Sequence, residues 1–282
     1  MTPRGWAVVG AACGLLLAAI AFAPAAWLAR GVAQASGERL LLVEPRGTLW
    51  SGSAIAVLAG GPGSRDASAL PDRLAWTLRP TLQGLDLRLR QACCINGELR
   101  LRLAPGLNRL RLGVLPPAPS TADSADAPAD APGNASSGGQ LIGQWPAAWL
   151  IGLGAPWNAL QLGGVVQLGA SGLEVEQVAG RTRLSGEAFA LLLRVATPLV
   201  PLPMVGSYRV GLHGDAARGD ASTIRLQTLE GPLQASGEGQ LGAGGLRFRG
   251  QVSAPPEQEG ALSNLLNIIG RRNGAQSVIT IG

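Results

Sequence analysis

The chain has 282 residues, of which 46% are hydrophobic and 15% are charged, and its net charge is +5. This balance excludes an intrinsically disordered chain, and the length is enough for one large or two small domains with a core. Every basic residue apart from the single histidine is an arginine, and the arginines are not interleaved with aromatic residues. A nucleic-acid-binding surface is therefore not expected. The 41 glycines, set among short apolar runs, predict many turns and a body of β-strands.

An uncharged segment covers residues 5–29. A helix of that length would span about 37 Å, enough to cross a bilayer, and Trp6 and Trp27 bracket it as aromatic belts do. A cleaved signal peptide is the alternative, but Pro24 directly follows the A-x-A sequence within the run, and the run is longer than a signal core of about 15 residues. We expect a cytoplasmic tip at 1–4, an uncleaved transmembrane anchor and an exported remainder.

Residues 30–115 alternate between apolar and polar side chains in several short segments. This period of two predicts strands with one buried and one solvated face. The alternating apolar residues are Leu74, Trp76, Leu78, Leu85, Leu87, Leu89, Leu99, Leu101, Leu103, Leu110 and Leu112. Asn96-Gly97 lies between two of these segments and predicts a hairpin. We interpret 30–115 as a first periplasmic β unit.

Residues 116–140 have a different composition from the segments on either side. They are rich in proline, alanine, serine, aspartate and glycine, and they hold almost no large apolar side chain. Such a tract cannot bury a core of its own. We predict a flexible linker or an exposed loop between the first β unit and the rest of the chain.

Residues 141–282 are interpreted as a second periplasmic β unit. Strands are predicted at 164–168, 173–178, 182–186, 188–194, 207–212, 223–229, 233–240, 246–252 and 277–281. Helical spacing is found at Leu262, Leu265, Leu266 and Ile269. The expected fold class is mainly β: a transmembrane helix, an antiparallel sheet or sandwich-like body with two related β units as an option, and a short C-terminal helix and strand.

Residue types typical of catalytic and metal sites are sparse. His213 is the only histidine and has no cysteine or carboxylate at metal-ligand spacing, so we assign it a structural or solvated role. Without lysine the chain can form neither a P-loop nor a Ser-Lys dyad. Gly237, Gly239 and Gly242 match G-x-G-x-x-G, but they lie between two predicted strands, so we assign them to a turn. No catalytic, cofactor-binding or metal-binding residue is predicted, and no enzymatic activity is expected.

Two pairs of residues leave alternatives open. Glu174 and Glu176 share one face of a predicted strand, where they are either solvated or able to hold a cation. Cys93 and Cys94 are adjacent in sequence, and adjacent Cα atoms are about 3.8 Å apart, below the usual span of a disulfide. We expect two thiols, one buried and one near the surface, with a vicinal redox switch as the alternative.

The candidate partner contacts are arginines and tryptophans. On the predicted strands they are Arg88, Arg90, Arg100 and Arg102, in a series that continues to Arg109 and Arg111. This series faces solvent, an acidic partner or lipid head groups. After the linker they are Trp145, Trp149 and Trp157, which we expect to form one aromatic cluster. The cluster either fills the core or anchors a partner.

Several segments resemble one known family, in the same order along the chain. Residues 47–54 (GTLWSGSA) are similar to the block that opens the periplasmic part of type II secretion system protein N. The further blocks are 70–76 (LPDRLAW), 149–161 (WLIGLGAPWNALQ), 206–210 (GSYRV), 228–240 (TLEGPLQASGEGQ) and 264–282 (NLLNIIGRRNGAQSVITIG). Residues 116–140 are not part of the pattern and are interpreted as a variable insertion.

The resemblance implies a single-pass inner-membrane protein with its N-terminus in the cytoplasm and its body in the periplasm. It would be a non-enzymatic accessory subunit of the apparatus that exports folded periplasmic proteins across the outer membrane. Its partners would be the other inner-membrane platform subunits, and no small-molecule substrate or cofactor is expected. The alternative is an anchored β-groove protein that binds or transfers lipids, in which the apolar strand faces line an open trough. A hydrolase ranks third.

Overall fold

The computed structural model describes residues 3–106, 108–116, 139–178, 181–215, 221–242, 245–274 and 276–282. Most of the tract predicted to be a linker, and the first two residues of the predicted cytoplasmic tip, lie outside these ranges. The helices are α1 (Pro3–Ala21), α2 (Ala25–Ala35), a 3-10 helix (Ala147–Leu153), α3 (Trp157–Leu160) and α4 (Glu259–Ile269).

The strands account for most of the body, as the sequence predicts. In the first half they are β1 (Leu40–Gly47), β2 (Ser51–Ala59), β3 (Ala67–Thr81), β4 (Gly84–Arg90), β5 (Leu99–Gly106) and β6 (Arg109–Leu115). In the second half they are β7 (Gln140–Pro146), β8 (Gly163–Val178), β9 (Arg181–Ala196), β10 (Gly206–Gly214), β11 (Ser222–Glu230), β12 (Gln234–Gly242), β13 (Gly245–Ser253), β14 (Arg271–Asn273) and β15 (Gln276–Ile281).

The N-terminal segment contains two helices where one was expected. α1 ends at Ala21, and α2 begins after Pro24, which forms an isolated β-bridge with Thr48. Proline cannot donate the main-chain hydrogen bond that a continuous helix needs there, so the helix is interrupted. Ala25 is almost fully buried in the body, although it lies within the predicted anchor. Among the described residues, no helix has both the length and the apolar character that crossing a bilayer requires.

All fifteen strands belong to one antiparallel sheet. Neighbouring strands follow the order β1-β2-β3-β4-β5-β6-β8-β9-β10-β11-β12-β13-β15-β14, and β7 pairs with β8 alone. β6 and β7 lie end to end along one edge of β8: β6 pairs with its C-terminal half, and β7 pairs with its N-terminal half. The two predicted β units therefore meet within one sheet, and the described strands do not form a sandwich.

One face of the sheet, the apolar face, carries the alternating apolar residues. Trp76 of β3 lies opposite Leu89 of β4, which in turn lies opposite Leu99 of β5. The helices cover this face in part. Ala25 of α2 belongs to a buried cluster with Trp76, while α4 contributes to a second cluster near the C-terminus. Between the two clusters Leu112 is 37% exposed, so parts of the apolar face are uncovered.

The predicted C-terminal helix and strand are confirmed. α4 buries three leucines (Leu262, Leu265 and Leu266) against β-strand residues such as Val252. Full burial of each leucine contributes about 1.5–3 kcal/mol. Ser277 of β15 donates a hydrogen bond to the Leu266 carbonyl oxygen at 2.7 Å, so helix and strand are also joined by a buried polar contact.

The prediction that the G-x-G-x-x-G motif lies in a turn is wrong. Gly237 and Gly239 lie inside β12, and the Phe248 side chain of β13 occupies the space next to them. A Cβ atom on Gly237 would approach the Phe248 ring to 2.4 Å, closer than real Cβ contacts allow. These glycines therefore make room for an aromatic ring, and only Gly242 adjoins the β12–β13 turn.

The cysteine pair also differs from the expectation. Cys93 and Cys94 lie in the turn after β4, not on a strand, and they form a disulfide with Cα atoms 3.7 Å apart. Because a turn does not force neighbouring side chains to opposite faces, the two sulfur atoms can meet. Cys94 is buried, and its carbonyl oxygen accepts a hydrogen bond from the Gln144 amide at 2.7 Å.

Candidate functional site

The predicted arginine contacts share the polar face of the sheet, opposite the apolar face. We call them the arginine stripe, which consists of Arg88, Arg90, Arg100, Arg102, Arg109 and Arg111. They alternate with the leucines of β4, β5 and β6, so the pleat directs them all to one side. The register aligns the three strands: Arg102 faces Asp86 of β4 on one side and Gly113 of β6 on the other.

Carboxylates pair with three of the four arginines on β4 and β5. Arg102 donates from Nε to Asp86 at 2.9 Å, and Arg90 donates from Nε to Glu98 at 2.7 Å. The Arg88 Nε lies 3.8 Å from Glu98 Oε1, which is close enough for an ion pair but too far for a hydrogen bond. The Arg88 Nε is buried and has no hydrogen-bond partner among the residues that the structure describes.

The glutamates of β8 pair with the arginines of β6. The Arg111 Nε donates to Glu176 Oε1 at 2.8 Å and lies 3.9 Å from Glu174 Oε1. The Arg109 Nε lies 3.6 Å from Glu176 Oε1. The sequence placed Glu174 and Glu176 on one face, and both form ion pairs with arginines there. Nearby guanidinium groups already neutralise these carboxylates, which leaves little charge to attract a cation.

The arginines shift the pKa values of the carboxylates that they contact. The hydrogen bond from Arg102 lowers the pKa of Asp86, and the one from Arg111 lowers the pKa of Glu176. In return, the pKa of each of these arginines is raised. Both carboxylates are therefore ionised at neutral pH, and the stripe is a network of charges with opposite signs.

Two arginines of the stripe oppose each other directly. Arg88 of β4 and Arg100 of β5 are cross-strand partners. Like charges in that position repel, and the Arg100 side chain makes no hydrogen bond or close ion pair within the described ranges. The six arginines of the stripe meet four carboxylates (Asp86, Glu98, Glu174 and Glu176), so the surface keeps an excess of positive charge.

The three candidate tryptophans do not form one cluster. Trp145 of β7 and Trp149 of the 3-10 helix pack against the N-terminal core, whereas Trp157 of α3 packs against the C-terminal core. Trp149 also donates its indole N–H to the Ser68 carbonyl oxygen at 2.9 Å. All three are half-buried, so each keeps a part of its surface that a partner can reach.

The remaining titratable candidates lie apart from the stripe. His213 is exposed at the end of β10, and its Nδ1 lies 3.2 Å from a Glu187 carboxylate oxygen. Across the part of the chain that the structure covers, no three cysteine, histidine or acidic residues come together as metal ligands do. The arginine stripe and the three half-buried tryptophans stay predictions as contact surfaces.

The family model of type II secretion system protein N matches residues 38–280, which include every strand of the sheet except the last residue of β15. The chain belongs to this family. It is thus a component of the type II secretion machinery, and the resemblance drawn from the ordered sequence blocks is confirmed. The family is an accessory component of secretion and not a known family of enzymes. No curated protein and no solved structure matches the chain significantly.

The ion pairs of the arginine stripe were not anticipated from the sequence. Asp86 and Glu98 flank the β4–β5 hairpin, and the register places Asp86 beside Arg102. The connection between β4 and β5 covers residues 91–98, so the register is not the one that a two-residue Asn96-Gly97 turn would set. The pairing of Asp86 with Arg102 and the repulsion between Arg88 and Arg100 therefore did not follow from the hairpin signal.

Proposed function

We propose that this chain is a non-enzymatic accessory subunit of the type II secretion system that acts through protein–protein contacts at the inner membrane. Its body lies in the periplasm, and its partners are other subunits of the inner-membrane platform. The observation that carries the proposal is the family match over residues 38–280, which spans the sheet from β1 to β15. The charge network on the polar face supports a contact role, because charge patterns steer and select protein partners.

The membrane attachment in this proposal is α1. The helix exposes a group of large apolar side chains: Leu15 at 74%, Leu16 at 61%, Leu17 at 68% and Ile20 at 50%. Such a contiguous apolar surface is costly in water and marks a site of membrane or protein contact. The Trp50 indole N–H donates to the Ile20 carbonyl oxygen at 2.9 Å, so the end of α1 is fastened to the β1–β2 turn.

The contact surface in this proposal is the arginine stripe. Its excess positive charge suits an acidic surface on a platform subunit. Arg100 is the arginine of the stripe that forms no close ion pair in the described structure, and its attraction to Asp86 acts over a longer distance. Arg100→Glu reverses the charge at this position. The new carboxylate would lie opposite Arg88, so the variant replaces a repulsive cross-strand pair with an attractive one and should fold.

A deletion strain tests the role in secretion. Deletion should block the export of a type II substrate, and the full-length chain should restore it and co-purify with platform subunits. Arg100→Glu should fail to restore export. Arg247→Glu is the control and should restore it, because Arg247 is an exposed arginine of β13 that lies on the polar face but outside the stripe. Normal export after deletion would overturn the proposal. Equal activity of both variants would remove the stripe as the contact surface.

A fusion protein tests on which side of the membrane the body lies. Alkaline phosphatase fused to the C-terminus should be active, because that enzyme forms its disulfides only outside the cytoplasm. An inactive fusion, together with a matched fusion that is active in the cytoplasm, would contradict the periplasmic placement of the body.

A further inference from the structure

A cavity lies between the apolar face and the helices near the C-terminus. Its volume is about 290 Å³, roughly twice that of an engineered apolar cavity of about 150 Å³ that binds benzene. Trp157 of α3, Leu265 and Ile269 of α4, and Ala235 of β12 are among the side chains that line it. The cavity is open on one side, so its apolar lining is left in contact with water, and an apolar occupant that displaced this water would be favoured.

The lining presents only apolar surface to a ligand. Of its residues only Thr197 and Tyr208 carry hydroxyl groups. Thr197 donates to the Leu160 carbonyl oxygen at 2.5 Å, and Tyr208 donates to the Leu233 carbonyl oxygen at 3.1 Å. A peptide segment would bring amide groups that find no partner here, at a large desolvation cost. A hydrocarbon chain has no amide groups and therefore avoids this cost.

The cavity meets a wider groove that reaches the edge of the sheet. The groove has a volume of about 680 Å³ and shares Trp157, Leu160, Ile269 and Ile279 with the cavity lining. Its outer part is apolar, with Ile268 at 44% and Ile281 at 47% exposure.

Arg271 also lines the groove. Its side chain is exposed and makes no ion pair or hydrogen bond in the described part of the chain, whereas the neighbouring Arg272 side chain pairs with Glu259 at 2.7 Å. An apolar channel that ends beside an unpaired cation matches an amphiphile with an anionic head.

The chain does not supply an occupant of its own. Residues 117–138, the longest stretch outside the described ranges, contain no leucine, isoleucine, valine or aromatic residue. A segment of that composition gains little from entering an apolar cavity. The occupant must therefore come from another molecule.

We propose that the cavity and groove bind one acyl chain of an anionic amphiphile, either a free fatty acid or an anionic phospholipid, with the anionic head at Arg271. This inference goes beyond the role in secretion and narrows the open trough considered from the sequence to one site under α3 and α4. The methylene chain fills the cavity, while the guanidinium group holds the carboxylate or phosphate. Each methylene that enters should raise the affinity about fourfold.

The probe is palmitate that carries a photoreactive diazirine at its methyl end, used with the full-length protein in nanodiscs of zwitterionic lipid. After irradiation, the label should be found on peptides that contain Trp157, Leu265 or Ile269. Competition by octanoate, decanoate, dodecanoate and palmitate should strengthen steeply with chain length. A parallel experiment with diazirine-labelled phosphatidylglycerol in the nanodisc identifies the source of the chain. Absence of body labelling in both experiments, or a flat series, would overturn the proposal.

A cavity-filling variant sharpens the experiment. Ala235→Leu adds three carbon atoms inside the cavity and should weaken palmitate binding about sixtyfold, as three displaced methylenes at about fourfold each imply. Ala188→Leu is the matched control and should bind palmitate normally. Ala188 of β9 lies on the apolar face, as Ala235 does, but it does not line the cavity. Unchanged binding by a folded Ala235→Leu variant would refute the assignment.

Arg271→Gln tests the head group and does not depend on whether Ala235→Leu folds. It should weaken the binding of palmitate but leave that of hexadecanol unchanged, because only the carboxylate is attracted to the guanidinium group. Arg272→Gln is the control, and it should leave the preference for palmitate over hexadecanol intact. An equal preference in Arg271→Gln and in the unmodified chain would count against the anionic head.

Discussion

Trp149 fastens the 3-10 helix to β3 through the hydrogen bond from its indole N–H to the Ser68 carbonyl oxygen. The two residues are 81 positions apart, and they lie on either side of the alanine- and proline-rich tract. The segment that follows the tract is thereby packed onto the first half of the sheet. The two halves of the chain therefore share a core as well as a sheet, and they should unfold together.

Trp149→Phe is expected to destabilise the fold by about 1–2 kcal/mol. Phenylalanine keeps most of the apolar contact but leaves the Ser68 carbonyl oxygen without its donor. Chemical denaturation of the full-length protein measures the change. Trp6→Phe is the control, because Trp6 is 68% exposed on α1 and should have little effect on unfolding. Equal stability of the two variants would show that the Trp149 hydrogen bond contributes nothing.

Gly237→Ala is expected to destabilise the fold by about 1–3 kcal/mol, because the new methyl group would collide with the Phe248 ring. Gly211→Ala is the matched control: it also lies in a strand, and nothing lies within 4 Å of a Cβ built there. Thermal unfolding of both variants should show a lowered Tm for Gly237→Ala alone. If Gly237→Ala melted like the control, Phe248 would not be packed as described.

Arg100→Gln is expected to stabilise the fold by about 0.2–1 kcal/mol. The substitution removes the repulsion between Arg100 and Arg88 and breaks no close ion pair. It also removes the longer-range attraction of Arg100 to Asp86, so the expected gain is the balance of the two interactions. Unfolding in urea at low salt measures the gain, which should shrink at high salt as the repulsion is screened. A loss of stability would indicate that Arg100 makes a favourable contact instead.

The pair of Asp86 and Arg102 predicts a pH dependence. Because Arg102 lowers the pKa of Asp86 below the unfolded value of about 3.9, ionised Asp86 stabilises the fold above about pH 4. This contribution is lost as the pH falls from about 4 through the folded-state pKa. Arg102→Gln should therefore be less stable than the unmodified chain near neutral pH, and the difference should shrink in acid.

The measurement is the free energy of unfolding of both proteins at a series of pH values. Arg225→Gln is the control, since Arg225 and Glu238 form an ion pair with both side chains about 70% exposed, and such pairs contribute little. A difference between Arg102→Gln and the unmodified chain that stayed constant from neutral to acidic pH would contradict the assignment to Asp86.

Cysteine labelling checks the vicinal disulfide. In the unfolded but unreduced protein an alkylating reagent should modify Cys13 alone, because Cys93 and Cys94 are bonded to each other. After reduction all three cysteines should react, and mass spectrometry counts the added groups. Modification of three cysteines in protein purified without a reductant would show that the bond is not formed.

Strand positions were predictable because one physical rule sets them. Leucine alternated with charge in β4, β5 and β6, and a sheet with one buried face requires that pattern. The lengths of β8 and β9 were not predictable, since each appeared as two short strands. Glycine and serine interrupt the alternation near Ser171, where the register shifts before Glu174 and the pairing continues.

The candidate site was predictable only in part. The series of arginines along the strands followed from periodicity, and the structure places all of them on one face. Trp145 and Trp157 were expected together because they are close in sequence, yet they belong to different cores. Which core a side chain joins depends on helix placement, which no local pattern encodes. The cavity near Trp157 is likewise a property of tertiary packing, to which Ala235 and Ile269 contribute from distant segments.

The end-to-end arrangement of β6 and β7 gives the chain a natural point for engineering. Gly113 of β6 pairs with Glu174, and Gln140 of β7 pairs with Ala170, so the two strands approach each other along four positions of β8. The intervening tract leaves and re-enters the sheet at nearly one place. Excising it, or replacing it with an epitope or a fluorescent protein, would bring β6 and β7 into one nearly continuous strand without altering any register.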